Sequence, residues 1–464
     1  MVTVRPTSSS LFDLFRSLPV QISLFLYILI QSFLLYKSNW SLHFLGGDAC
    51  MYYENALCFL ENRPYTYSER QPFYPLTLST ILWIFGKKSI EMCVIFQFLV
   101  HIGVALCSFK IANLIIPKWK NSVFILVLLN PSALFHTEVL ITETLYAFLF
   151  GLAYYWLLIG AYQKNWISTI GSGFLIGTLA LTRPEAKFLL YLTPFLVFYL
   201  YMVFHLFKQS WGKLLLISTL TFGAGFLITV PWQLYLSHHT SHTGVTSSQK
   251  QFDHISLNVA ILENLAQEGK GLLETYPKVL LKGEEAFHNL PESYRMSLPE
   301  KHAFLNRYYL KQFFTYPFPI YVRAFLQSWS MIYLANGSQI LMELLFQDRS
   351  VPKDFQHKPN ILKNMLGALK ENPVSFLTTS LLFFGTLCLR ILNVFGLIAL
   401  MVNKQYKWLF ALCFPVLFVT IINLCDGQSR ARLALEPILM IWAVYGFMYL
   451  KEILLKIFKR TISS

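Results

Sequence analysis

The segment GGDACMYYENALCFLENRPYTYSERQPFYPL places Asp48, Glu69 and Arg70 close together, with Tyr52 one helical turn after Asp48. Such a cluster stands out in a chain that is only 13% charged. A carboxylate held at a membrane surface can take a proton as a general base, and an arginine fork can grip phosphate through paired hydrogen bonds. The segment is therefore the candidate active site. Further along, the ionisable residues Glu138, Glu143, Arg183, Glu185, His238, His239, His242, Asp426, Arg430 and Arg432 all fall at the edges of apolar runs. Buried charges at such edges are costly and usually functional, although any one of them could be an end residue reaching for headgroups.

Those residues need a scaffold, and the composition indicates which kind. Of 464 residues 55% are hydrophobic, and the mean hydropathy is +0.49. Apolar runs of about 20 residues, the length that crosses a bilayer core, recur throughout. The expected class is an all-α polytopic membrane protein. Crossings are predicted near Leu18–Tyr36, Ile90–Phe109, Val123–Phe135, Thr144–Tyr162, Trp166–Leu181, Phe188–Phe207, Leu214–Leu236, Val374–Val402, Trp408–Leu424 and Leu433–Leu450, about ten in all. The first run has no small-residue cleavage site behind it and reads as a retained helix.

With a cytoplasmic N-terminus, alternate loops carry Arg5 and Arg16, then Lys110, Lys118 and Lys120, Lys164, Lys208 and Lys213, Lys404 and Lys407, and finally Lys451, Lys456, Lys459 and Arg460. That pattern satisfies the positive-inside rule, and it accounts for the net charge of +14 without nucleic acid as a partner. This register takes Pro72–Phe85 as a helix lying on the outer surface and keeps Ile320–Phe346 outside as amphipathic helix. All the polar edge residues named above then face the non-cytoplasmic side. The seven cysteines show no C-x-x-C pair and read as core residues.

In order, GGDACMYYENA, ERQPFYPL, LNPSALFHTEVLITETL, LTRPEA, TVPWQLY and GQSRARLALEP resemble the GT-C glycosyltransferases that use polyprenyl-phosphate sugars, especially the protein mannosyltransferase and lipid A aminoarabinose transferase branch. The resemblance covers most of the membrane part. It implies a GT-C-like transmembrane helix bundle with outer juxtamembrane helices and an α-helical extracytoplasmic region. It also implies Asp48 as the catalytic aspartate and Glu143 as the second pocket acid. Arg70 and Arg183 match its lipid-phosphate cations, and Arg430 or Arg432 are further candidates. Tyr52 and Glu69 would support the site. The resemblance fixes no cofactor; some members hold a divalent metal, for which Glu69 and His239 are the candidates here. The implied partners are a polyprenyl-phosphate sugar donor, a lipid, glycan or protein acceptor, and the bilayer itself.

The implied organisation is a membrane module over 1–236, with an outer loop at 37–90, an extracytoplasmic helical region over 237–372, and C-terminal transmembrane helices over 373–464. Neither G-x-x-x-x-G-K-[ST] nor G-x-G-x-x-G occurs, which together with the outward-facing acids favours a lipid-linked donor over a nucleotide sugar. The expected setting is a bacterial plasma membrane with the site facing outward. A polytopic transporter or lipid flippase is the alternative; such proteins tend to show internal repeats and charges near the bilayer midplane.

Overall fold

In a computed structural model of the chain, the structure describes residues 11–37, 47–68, 70–205, 210–240, 248–267, 272–291, 293–334, 341, 373–423 and 429–463. The described elements are α-helical: α1 Leu11–Phe15, α2 Leu18–Lys37, α3 Gly47–Leu60, α4 Phe73–Phe85, α5 Ile90–Ile115, α6 Lys120–Leu128, α7 Pro131–His136, α8 Glu143–Gln163 and α9 Trp166–Ala180. They continue as α10 Ala186–His205, α11 Trp211–Thr240, α12 Ser248–Ala266, α13 Leu272–His288, α14 Leu298–Phe313, α15 Phe318–Leu334, α16 Pro373–Val402, α17 Tyr406–Ile422 and α18 Glu436–Ser463, with short 3-10 turns between some of them. Among the described residues, seven helices are long and apolar enough to cross a membrane: α2, α5, α8, α10, α11, α16 and α18.

Three of the expected crossings look different. The Trp166–Ala180 and Tyr406–Ile422 helices are apolar but shorter than the seven. The run Val123–Phe135 is divided: α6 stops at Leu128, and α7 begins at Pro131. Pro131 has no backbone N–H and disfavours helix in the residue before it, so the chain turns there. Asn130 then caps α7 by accepting from the Ala133 amide at 3.4 Å. Helix α4 has 13 residues, about 20 Å of helix, short against a hydrocarbon core of about 30 Å.

Lipid offers no hydrophobic drive between spans, so small residues must let backbones approach. On α9, a side-chain carbon at Gly173 would lie 2.0 Å from the Thr221 carbonyl oxygen, and one at Gly177 would lie 2.2 Å from that of Gly225. Helices α16 and α18 meet in the same way, with Gly396 against the Trp442 carbonyl and Gly446 against that of Leu392. The spans share one apolar core that runs from Val20 in α2 to Val444 in α18. Helices α12 to α14 close around a second core of Val259, Ala260, Val279, Phe287, Leu305 and Tyr309.

Candidate functional site

Helix α3 carries Asp48 in its first turn, where the helix dipole favours a carboxylate. Asp48 is one-third exposed and takes a 2.6 Å ion pair from Arg70 Nη2, whose own side chain is 14% exposed. The Arg70 guanidinium also lies 3.2 Å from Met51 Sδ and 5.6 Å from the Tyr52 ring centroid. Asp48, Arg70 and Tyr52 therefore form one unit, as their spacing suggests.

The loop that delivers Arg70 is tied down at several points. Asn55, fully buried on α3, donates to the Tyr67 carbonyl at 3.1 Å and accepts from its amide at 3.0 Å. Tyr65 donates its hydroxyl toward the Arg70 and Gln71 carbonyls, each at 3.2 Å. Its ring packs edge-on against Trp232 at 5.2 Å, so the Pro231-Trp232 step inside α11 supports the loop. Just beyond it, the Phe73 amide donates to the Leu181 carbonyl at 2.9 Å. That bond joins the start of α4 to the turn after α9, two residues before Arg183.

The second half of the site is built around Glu143, the first residue of α8 and 3% exposed. Arg183 Nη1 pairs with it at 3.1 Å, while Arg183 Nε reaches Glu185 at 3.3 Å. The Arg183 guanidinium stands 5.5 Å from the Tyr146 ring centroid. Burial opposes the charge on Arg183, but Glu185 and Glu143 outweigh it and hold the group above its ordinary range.

Tyr52 lies between the halves. Burial raises its hydroxyl pKa, Arg70 and Arg183 lower it, and Glu143 and Asp48 raise it, so all four charged groups act on one phenol. Its ring meets Tyr74 edge-on at 5.2 Å, and the Tyr74 hydroxyl donates to Gln97 Oε1 at 3.0 Å. The Gln97 amide then donates to the Thr137 and Val139 carbonyls, each at 2.9 Å, holding the segment that leads into Glu143. Within that segment Glu138 is fully buried, and burial pushes its carboxyl up to about 8.

Arg432 belongs to a different constellation. Its guanidinium is 1% exposed and pairs with Glu436 at 2.6 Å. It also donates to the Ile332 and Tyr333 carbonyls, each at 3.0 Å. Arg390 reaches the same carboxylate at 3.2 Å and the Tyr333 carbonyl at 3.1 Å. The guanidinium of Arg432 is thus engaged by Glu436 and by the carbonyls near the end of α15. Glu69, His242 and Asp426 lie outside the described residues, as do the side chains of His239 and Arg430. Among the described residues, no three His, Cys, Asp or Glu side chains come together in a metal-ligating group.

Several contributors escaped the sequence reading. Arg390 was detectable as a lone charge inside a long apolar run, and Glu436 as the i,i+4 partner of the already named Arg432. Asn55, Tyr74 and Gln97 carry no such signal, because their partners are distant in sequence.

The described helices and their polar corner define an α-helical, multi-pass integral membrane protein. No family model matches the chain, and no curated protein matches it.

Proposed function

We propose that the protein is an inverting glycosyltransferase that moves a sugar from a polyprenyl-phosphate donor to a hydroxyl acceptor at the outer face of a bacterial plasma membrane. The observation that carries this reading is the pairing of an accessible acid, Asp48, with Arg70, beside a second arginine, Arg183, held by the buried Glu143. The acceptor oxygen attacks the anomeric carbon as the bond to the phosphate oxygen breaks. The acceptor proton passes to Asp48, and the electron pair leaves with the phosphate, whose growing charge faces Arg70 and Arg183. A donor phosphate competes with Asp48 for Arg70, so donor binding frees the carboxylate to act as base. Glu143 and Glu185 fix the orientation of Arg183. The resemblance of the sequence elements to the GT-C branch supports the same donor class.

The test is sugar transfer by the purified protein in detergent, with labelled polyprenyl-phosphate sugars and extracted envelope acceptors, wild type beside Asp48→Asn. Transfer that is lost in the variant, with folding and donor binding retained, supports the assignment. Equal turnover removes Asp48 as the base, and no turnover of any donor shifts weight to a transporter.

A further inference from the structure

Helix α15 connects helices α12 to α14 to the membrane core, and its two halves have different neighbours. Near its start, Ala324 packs with Leu262 of α12. Near its end, Ile332 and Tyr333 belong to the same apolar core as the spans. Ser328 donates to the Asn423 carbonyl at the end of α17, and the Tyr333 hydroxyl lies 2.8 Å from Thr420 Oγ1 inside that helix. The last carbonyls of α15 carry the negative end of the helix dipole. Here they meet two guanidinium groups: Arg432 on the Ile332 and Tyr333 carbonyls, and Arg390 on Tyr333. Arg390 sits near the middle of the apolar span Phe376–Val402, roughly 20 Å of helix from either end.

A helix end at that depth must have its carbonyls satisfied by protein, since hydrocarbon offers no donor. The arginine pair meets that need, and Glu436 balances part of its charge. On the opposite side of α15, Phe318, Val322, Leu326 and Trp329 are exposed at helical spacing, as is Arg323 near the helix start.

We infer that α15 enters the outer half of the bilayer end-on, brings its Ile332 and Tyr333 carbonyls onto the Arg390, Arg432 and Glu436 cluster, and turns its Leu326 and Trp329 face to lipid acyl chains. The occupant of that face is lipid because α15 packs against the span α16, whose own Leu377, Leu381, Phe384 and Ile391 are likewise exposed and apolar. Arg323, about 16 Å above the buried end at 1.5 Å per residue, then lies at headgroup level, where an arginine is favoured. The inference is independent of the proposed reaction.

Nitroxide labels on the full chain in liposomes test it. With the seven native cysteines replaced, Leu326→Cys and Arg323→Cys are labelled singly, with Phe195→Cys on the exposed face of α10 as the acyl reference. Collision with dissolved oxygen and with a water-soluble nickel chelate gives each label's depth. The expected result is several-fold more oxygen than nickel access at Leu326, matching Phe195, and the reverse at Arg323. Nickel access at Leu326 equal to that at Arg323 overturns the inference. So does spin–spin broadening at Leu326, which would mean that a second copy covers the face. Trp329→Cys serves as the second position on the same face if Leu326→Cys does not fold.

Discussion

Asp48 and Glu143 are both carboxylates paired with arginine, yet their surroundings give them different work. Asp48 keeps one-third of its side chain exposed, whereas Glu143 keeps 3%. Removing the partner of a buried charge is costly because the charge is left without compensation, at roughly 3–5 kcal/mol. Arg183→Ala is therefore expected to lower stability by about 3 kcal/mol or more, and Arg70→Ala by about 1 kcal/mol or less. Parallel thermal melts in detergent would show whether the two differ. Glu138 adds a pH dependence of definite sign. Its carboxyl is held at about 8 in the fold, against 4.5 when unperturbed. The folded state thus binds the proton more tightly, and this contribution is present below the unperturbed value and lost as pH rises through about 8. Melting of the wild type should fall between pH 5 and pH 9, and Glu138→Gln should flatten that fall. An unchanged slope in the variant would assign the titration to another group.

The polar corner depends on side chains that pair with none of its charged groups directly. Asn55 brackets both backbone groups of Tyr67 and so sets where Arg70 arrives. Asn55→Ala should loosen the loop and reduce the proposed transfer at least several-fold, with a smaller loss from Asn55→Asp, which keeps the acceptor. Equal, full activity in both would show that Tyr65 and Trp232 hold the loop alone. Helix pairing makes a separate prediction. A side chain at Gly173 or Gly446 would overlap a neighbouring carbonyl at about 2.0 Å, and overpacking of this kind usually costs about 1–3 kcal/mol. Gly173→Val and Gly446→Val should each lower the melting temperature by several degrees, whereas Gly212→Ala, which meets nothing within 4 Å, should not. These pairings were readable only in part: G-x-x-x-G is visible at Gly173 and Gly177, but the helix it meets is not.

For the molecule as a whole, its class followed from composition, because a run of apolar residues long enough to span lipid has few other uses. The segment around Asp48 was legible for a similar local reason: Asp48 and Tyr52 share a helix face, and Arg70 stands in a short loop beyond. The division of Val123–Phe135 was written in Asn130-Pro131, but it was outweighed there by continuous hydropathy. What the sequence by itself determined, then, is an α-helical membrane protein with a charged segment after its first long apolar run, since period, length and proline chemistry act over a few residues. Only the tertiary structure decided which charges meet. Arg183 joins Glu143 across 40 positions, and Arg432, beyond its near neighbour Glu436, meets the Ile332 and Tyr333 carbonyls 100 and 99 positions away. Such partners are chosen by how helices cross and which carboxylate is buried beside them, and neither is encoded in local spacing.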